Sequence, residues 1–496
     1  MKLAVHGRTE SDHSEPAGSL FSSSRRLATA EQLGLTCELR EGPAAPGIER
    51  LRTRGGGELL WTSAVASAGP PLAARLQGAG ASIPIFARVL DDALTQRVLA
   101  QHGGEWSPAV RILDRGGQAV SAIWVAEDGN VFLPFDPDEV CESYWSERYL
   151  ALLRTKASRH TQRGAMQSYY RVRGLLPRTV QIRLRRLYAR RQRRTPFPRW
   201  PAETALHDFF DLFTAILADV AREPLPRIAP WPNGHTWALV LTHDVETAQG
   251  LAALDPILEL ERRLGLRSAW NFVPRRYRVD DARVRQLQAD GFEVGVHGLY
   301  HDGRDLESHA RVQERLPGMR AAAERWQAVG FRSPATHRQW DLMPLLGFDY
   351  DSSYPDTDPF EPQGGGCCTW LPFFNQEVVE LPMTMPQDHT MFVILRHRDE
   401  TAWIEKAEFL RSRDGMALLD THPDYLLDAR IMRAYGRLLE RYAHEPSAWK
   451  PLPHEVSDWW RRRAASRVER EGSGWVVRGP AAGDARVEIV EGTAWR

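Results

Sequence analysis

The stretch WALVLTHDVE, residues 237–246, decides how the rest of the chain is read. It is an apolar run that closes on a histidine and two carboxylates. Side chains alternate along an extended strand, so Asp244 and Glu246 project to one side and Val245 to the other. The polar end is then either an ordinary strand terminus or one edge of a metal-dependent site. Distant segments decide between the two.

The segment HGLYH, residues 297–301, follows the strand-like run FEVGV and sets His297 and His301 four apart, on one side of a turn or helix. That spacing alone is weak evidence, because most such pairs are surface or packing histidines; a position at a strand end strengthens it. Two imidazoles need a third, anionic ligand to hold a divalent ion and leave a place for water. Either Asp244 or Glu246 can serve, leaving the other carboxylate to take a proton. FRSP, residues 331–334, offers Arg332 to pair with Asp244 and keep it ionised. LLDTHPDY, residues 418–425, offers His422 as a proton donor. Each residue alone has a bland reading, as an ion pair or a satisfied strand-end group. Together they point to hydrolysis.

These segments belong to a regular pattern. WALVLTHD, SAWNFV, FEVGVH, GFRSP, FDYDSS, VVELP and MALLDTH are short strand-like runs, and helical stretches such as LDPILELERRLGL and DDARVRQLQADG separate several of them. Alternating strands and helices imply parallel pairing, and seven runs suit a barrel of β/α units. In such barrels the reactive groups gather at the C-terminal ends of the strands. Asp244, His297, Arg332, Asp351 and His422 all close such runs.

The chain of 496 residues is too long for one ordinary domain. Residues 1–165 read as a mixed α/β domain, 166–202 as an arginine-rich linker helix, 203–455 as the β/α unit and 456–496 as a helix plus a small β appendage. In the first, ELLWTS and IPIFARVL are expected as strands flanking a helix PPLAARLQ, while DRGG and EDGN mark hairpin turns. The glycines of GAGAS would follow that helix rather than open one, which excludes a dinucleotide loop. FDPDEV, residues 135–140, reads as Asp and Pro opening a helix. Lys+Arg and Asp+Glu balance at 64 each, so net charge does not make the chain a polyanion binder. In residues 171–199, however, Val180, Leu184, Leu187 and Tyr188 share a helical face among arginines. Such a helix can touch an anionic membrane, hold an acidic glycan or pack as a linker; nucleic acid is not expected, since no recognised module accompanies the charge. Four cysteines without a CxxC pair, and an opening MKLAVHGRTESDHSEP without an apolar core, favour a cytoplasmic location.

Over about residues 235–445 the sequence resembles the polysaccharide deacetylase family, the NodB-homology domains of the carbohydrate esterases. HGLYH, FRSP and LLDTH match in order that family's HxxxH, RxP and LxxH motifs. The resemblance implies a distorted (β/α)7 barrel that hydrolyses an N-acetyl group on a sugar of a cell-surface glycan or its precursor, with zinc or another divalent ion. Carried over, Asp244 is the general base, Arg332 its tether, His422 the general acid, and His297 and His301 metal ligands. The Ala335 N–H would help hold the oxyanion. Where the family's first motif has adjacent aspartates this chain has Val245, so Glu246 takes the ligand place in a D-x-E arrangement. The aromatic residue usual after RxP is Ala335 here, and Trp340 and Trp370 are candidates for the indole that the family supplies from a further motif. Two further readings stay open: a catalytically inactive glycan-binding or scaffold barrel, and a hydrolase of a non-sugar amide.

Overall fold

The computed structural model describes residues 19–40, 42–64, 69–78, 81–153 and 178–495. The opening segment read for a signal and residues 171–177 of the basic stretch lie outside these. Two nine-stranded sheets dominate a mixed α/β architecture, and a single apolar core runs through both.

The first sheet comprises β1 (Phe21–Ser23), β2 (Cys37–Leu39), β3 (Ile48–Thr53), β4 (Glu58–Thr62), β5 (Leu72–Gly78), β6 (Ala81–Ala87), β7 (Trp106–Asp114), β8 (Ala119–Ala126) and β9 (Val131–Leu133). Their order is β2-β1-β3-β4-β9-β8-β7-β5-β6. DRGG and EDGN form the turns between β7, β8 and β9, as their Asp and Gly content predicts. Asp136 caps the helix Pro137–Trp145, its carboxylate accepting the Asp138 N–H.

PPLAARLQ is not a helix. It contributes most of β5, which pairs antiparallel with β6 and β7 on its two sides. Ala, Leu, Arg and Gln are good helix formers, but Ala74 and Leu76 alternate into the core, and pairing on both edges overrides propensity. Gly78 therefore ends a strand, and the dinucleotide loop is excluded for a different reason than expected.

The second sheet carries the site. Its strands are β11 (Trp237–Val245), β12 (Ala269–Phe272), β13 (Glu293–Val296), β14 (Gly330–Phe331), β15 (Tyr350–Asp351), β16 (Phe373–Asn375), β17 (Val378–Glu380) and β18 (Met416–Thr421), with β19 (Ala448–Trp449) beside β11. Every pairing except that of β16 with β17 is parallel. Beyond β17 the chain runs on to β18, where the Met385 N–H donates to the Leu418 carbonyl at 3.0 Å. Helices Leu254–Arg263, Asp281–Ala289, His309–Trp326, Thr401–Arg411 and Ala429–Tyr442 lie between the strands in sequence.

Both flanking regions tie back to this frame. Glu147, just past the helix that Asp136 caps, accepts Arg338 Nε and Nη2 at 2.8 and 2.5 Å, with both side chains buried. At the other end β22 (Val487–Val490) pairs with β10 (Leu225–Ile228), and β20 (Arg467–Glu471) forms a hairpin with β21 (Gly474–Arg478). The basic stretch forms the helix Arg178–Gln192, but Val180, Leu184, Leu187 and Tyr188 point outward. Ala189 is its buried contact, against Phe360 and Ile394.

Candidate metal centre

Strand β11 is buried along its whole length, and alternation sorts its last residues as expected. Val245 joins the apolar core. His243 turns away to a buried network: its Nε2 lies 2.8 Å from Glu261 Oε1, its Nδ1 2.8 Å from the Thr421 hydroxyl, and its ring stacks on Trp270. Asp244 and Glu246 face the space at the C-terminal ends of the strands.

His297 follows β13, and the chain then leaves the strand on a loop rather than a helix. Gly298 has φ +62°, where a Cβ would stand 2.4 Å from Asp305 Oδ2 and 2.6 Å from the Pro334 ring. A glycine is needed there on both counts. His301 also adopts a left-handed φ of +58°. These two turns fold the four-residue spacing back, so that the imidazoles lie 5.0 Å apart.

One ligand atom from each of Glu246, His297 and His301 lies within 4.8 Å of the others. The His297 Nδ1–H donates to the Arg332 carbonyl at 3.0 Å, which leaves its Nε2 with a free lone pair. That Nε2 is buried and makes no hydrogen bond. The same holds for His301 Nε2: it sits 2.8 Å from Glu246 Oε1 without the alignment of a hydrogen bond. Burial pushes His297 down to about 4, against the pull of Asp244, so its ring is neutral near pH 7. Burial would raise Glu246, but His301 above all holds it well below the usual carboxylate range. A carboxylate and two imidazole nitrogens converging on one space are a donor set that could hold a divalent ion such as zinc.

Asp244 sits beside this set. Its Oδ1 accepts Asn271 Nδ2 at 2.9 Å and Arg332 Nη1 at 3.3 Å, and its Oδ2 lies 3.6 Å from His297 Nε2. Burial favours its protonation, but His297, Arg332 and His422 with the Asn271 bond hold it below the ordinary carboxylate value. The shorter bond of Arg332 goes elsewhere, from Nη1 to Asp420 Oδ1 at 2.7 Å. Burial and the neighbouring Asp244 push Asp420 well above its usual range. Two carboxyl groups thus share one guanidinium, and their environments drive the two apart, with Asp244 the ionised member.

His422 closes the arrangement from β18. Its Nδ1–H donates to Asp388 Oδ1 and its backbone N–H to Asp388 Oδ2, both at 2.7 Å. Its Nε2 faces the site, 3.8 Å from Glu246 Oε1 and 3.9 Å from Asp420 Oδ2. Burial would lower His422, but Asp388 and Asp420 keep it well above the usual histidine value, which makes it a proton carrier near neutrality.

Reading the sequence did not find three of these groups: Asn271, Asp388 and Asp420. Asn271 sits inside the mostly apolar run SAWNFV, and its register position opposite Asp244 on β12 is the clue to it. Asp388 precedes an irregular helix, His389–Leu395, where no periodicity marks it. Trp370 is not at the site: it is buried, stacks on His207 and donates its indole N–H to the Arg413 carbonyl. Trp340 stacks on Phe373.

No family model and no curated protein matches the chain. Among solved structures it is similar to a probable polysaccharide deacetylase from Pseudomonas aeruginosa PAO1, at 16% identity and a TM-score of 0.40, covering 50% of this chain and 97% of that one. It is similar to PuuE allantoinase at 15% identity and a TM-score of 0.39, covering 47% and 93%. A mutant of a CE4 family pseudoenzyme with restored enzymatic activity matches at 14% identity and a TM-score of 0.30, covering 45% and 67%.

Proposed function

We propose that this chain is a metal-dependent hydrolase that removes an N-acetyl group from a sugar of a cell-surface glycan or its precursor, on a distorted (β/α)7 barrel. The observation that carries the reading is the convergence of Glu246 with the Nε2 atoms of His297 and His301, both buried and neither in a hydrogen bond. A divalent ion held there, zinc by the character of its donors, supplies Lewis acidity toward the amide carbonyl and acidifies a water.

The chain's own groups do the rest. Asp244, kept ionised by Arg332 and aimed by Asn271, takes the proton of the attacking water. His422, held by Asp388, delivers a proton from Nε2 to the departing amine. The Ala335 N–H steadies the oxygen on which negative charge develops. Ala335 and Thr336 both hold left-handed φ angles, +53° and +51°, and the Thr336 carbonyl accepts Arg338 Nη1 at 2.8 Å. Strain kept in place by such a buried anchor is characteristic of functional loops. We place the protein in the cytoplasm, where four unpaired cysteines, three of them buried, suit a reducing environment.

Metal analysis comes first: the purified protein binds a divalent ion at near-equal stoichiometry, and His297→Ala loses it. Acetate release from N-acetylglucosamine oligomers or lipid-linked sugars then identifies the reaction, and Asp244→Asn abolishes it. Metal without acetate release, but with turnover of a ureide or another amide, would move the substrate away from sugars. Neither metal nor turnover would leave a glycan-binding barrel.

A further inference from the structure

The helix Arg178–Gln192 is built inside out for a soluble surface helix. From residue 178 to 194 the sequence carries eight arginines and no acid. The face turned to the protein is largely polar. Arg185 donates to the Phe360 carbonyl, Arg186 Nε to the Val393 carbonyl at 2.9 Å and Gln192 Nε2 to the Pro359 carbonyl, while among the described side chains of the helix Ala189 alone is buried and Ile182 is half-buried. The face turned to solvent holds Val180, Leu184, Leu187 and Tyr188 at 36–58% exposure. Among the described residues ten large apolar side chains are exposed, and these four fall within nine residues of one helix. An amphipathic helix that only packs on its neighbour would present the opposite faces.

We infer that this helix docks the protein on an anionic lipid bilayer. The exposed Leu184 and Leu187 enter the acyl boundary, and Arg183, Arg190 and Arg191, exposed on the flanks of the same face, meet the headgroup phosphates. Nucleic acid would also meet the arginines, but it offers nothing to bury two leucines against. The helix is fixed to the body by Phe360, Val393 and Ile394, the last two in the short helix His389–Leu395 that starts directly after Asp388. The helix that carries the docking face therefore packs, through its opposite side, on the element that follows the tether of His422. Docking stands on these contacts alone and does not need the hydrolase reading.

The test is sedimentation of the full chain with vesicles containing phosphatidylglycerol and with vesicles of phosphatidylcholine alone. Binding is expected to the first and not the second, and to weaken as salt is raised. Leu184→Asp with Leu187→Asp lowers the affinity at least about tenfold, without changing the melting temperature, because both side chains are already in water. Leu39→Asp, at another exposed leucine in β2, leaves binding unchanged. Absent binding to phosphatidylglycerol, or equal binding by the double variant, overturns the inference. So does a wild-type dimer that the double variant makes monomeric, or duplex DNA binding that the double variant abolishes.

Discussion

Asp388 holds His422 at two points, the ring Nδ1–H and the backbone N–H, and is itself buried. That geometry fixes the tautomer, turns Nε2 to the site and favours the charged ring. Asp388→Asn is expected to lower kcat for acetate release by about 10²-fold or more with little change in KM, the loss of a positioned acid. An unchanged kcat would remove the proton-donor role from His422. A second buried histidine carries a pH prediction well away from the site. His207 stacks 3.3 Å from Trp370, whose backbone N–H donates to its Nε2, and burial with Arg413 and Lys406 nearby holds it well below the usual histidine value. A folded-state value below the unfolded one means the unfolded chain binds the proton first. Its stabilising effect is therefore complete above about pH 6.5 and is lost as pH falls from there. Urea midpoints at pH 7.5 and 5.5 should differ more for wild type than for His207→Gln, which keeps an acceptor that does not charge; equal differences would refute it.

At the scale of elements, the site depends on how closely β11, β12 and β13 lie in register. Asp244 faces Asn271 across one pairing and Asn271 faces Gly295 across the next. A Cβ on Gly295 would stand 2.1 Å from Asn271 Oδ1. The missing side chain leaves Asn271 room to reach Asp244. Gly295→Ala should therefore cut turnover by about tenfold or more through Asp244 while the chain still folds. Full turnover in a folded variant would show that Asn271 does not position the base. The same three strands show what was legible. Asp244, His297 and Arg332 were found because each ends an apolar run, whereas Asn271 sits inside one and is identified only by its neighbour.

At the scale of the molecule, the first nine-stranded sheet is tied to the loop beyond Arg332. Arg338 reaches Glu147 from that loop and also binds the carbonyls of Thr336 and Gln363, with no exposure to water. Removing one partner of such a pair leaves a buried charge uncompensated. Glu147→Ala should cost about 3–5 kcal/mol of stability, read from denaturant midpoints, and should slow acetate release by loosening Ala335. A loss below about 1 kcal/mol would mean water reaches Arg338 and the tie is superficial. Nothing in the sequence near Glu147 signals this contact, since its partner lies 191 residues away.

The sequence alone determined the alternation of short strands and helices from residue 203 onward, and the strand ends at which the candidate site groups stand. Those are local properties: apolar runs bury themselves, and the period of two along a strand sends Asp244 and Glu246 to the same side. It misjudged β5, where pairing on both edges outweighed helix propensity, and it left Asn271, Asp388 and Asp420 without roles. Only the tertiary structure decided those, because hydrogen-bond partners and buried charges are set by which distant segments share a dry space. It also set the basic helix the other way round, placing Arg185 and Arg186 on carbonyls and its leucines in solvent. Helical periodicity shows which residues share a face, but the neighbour decides which face is covered.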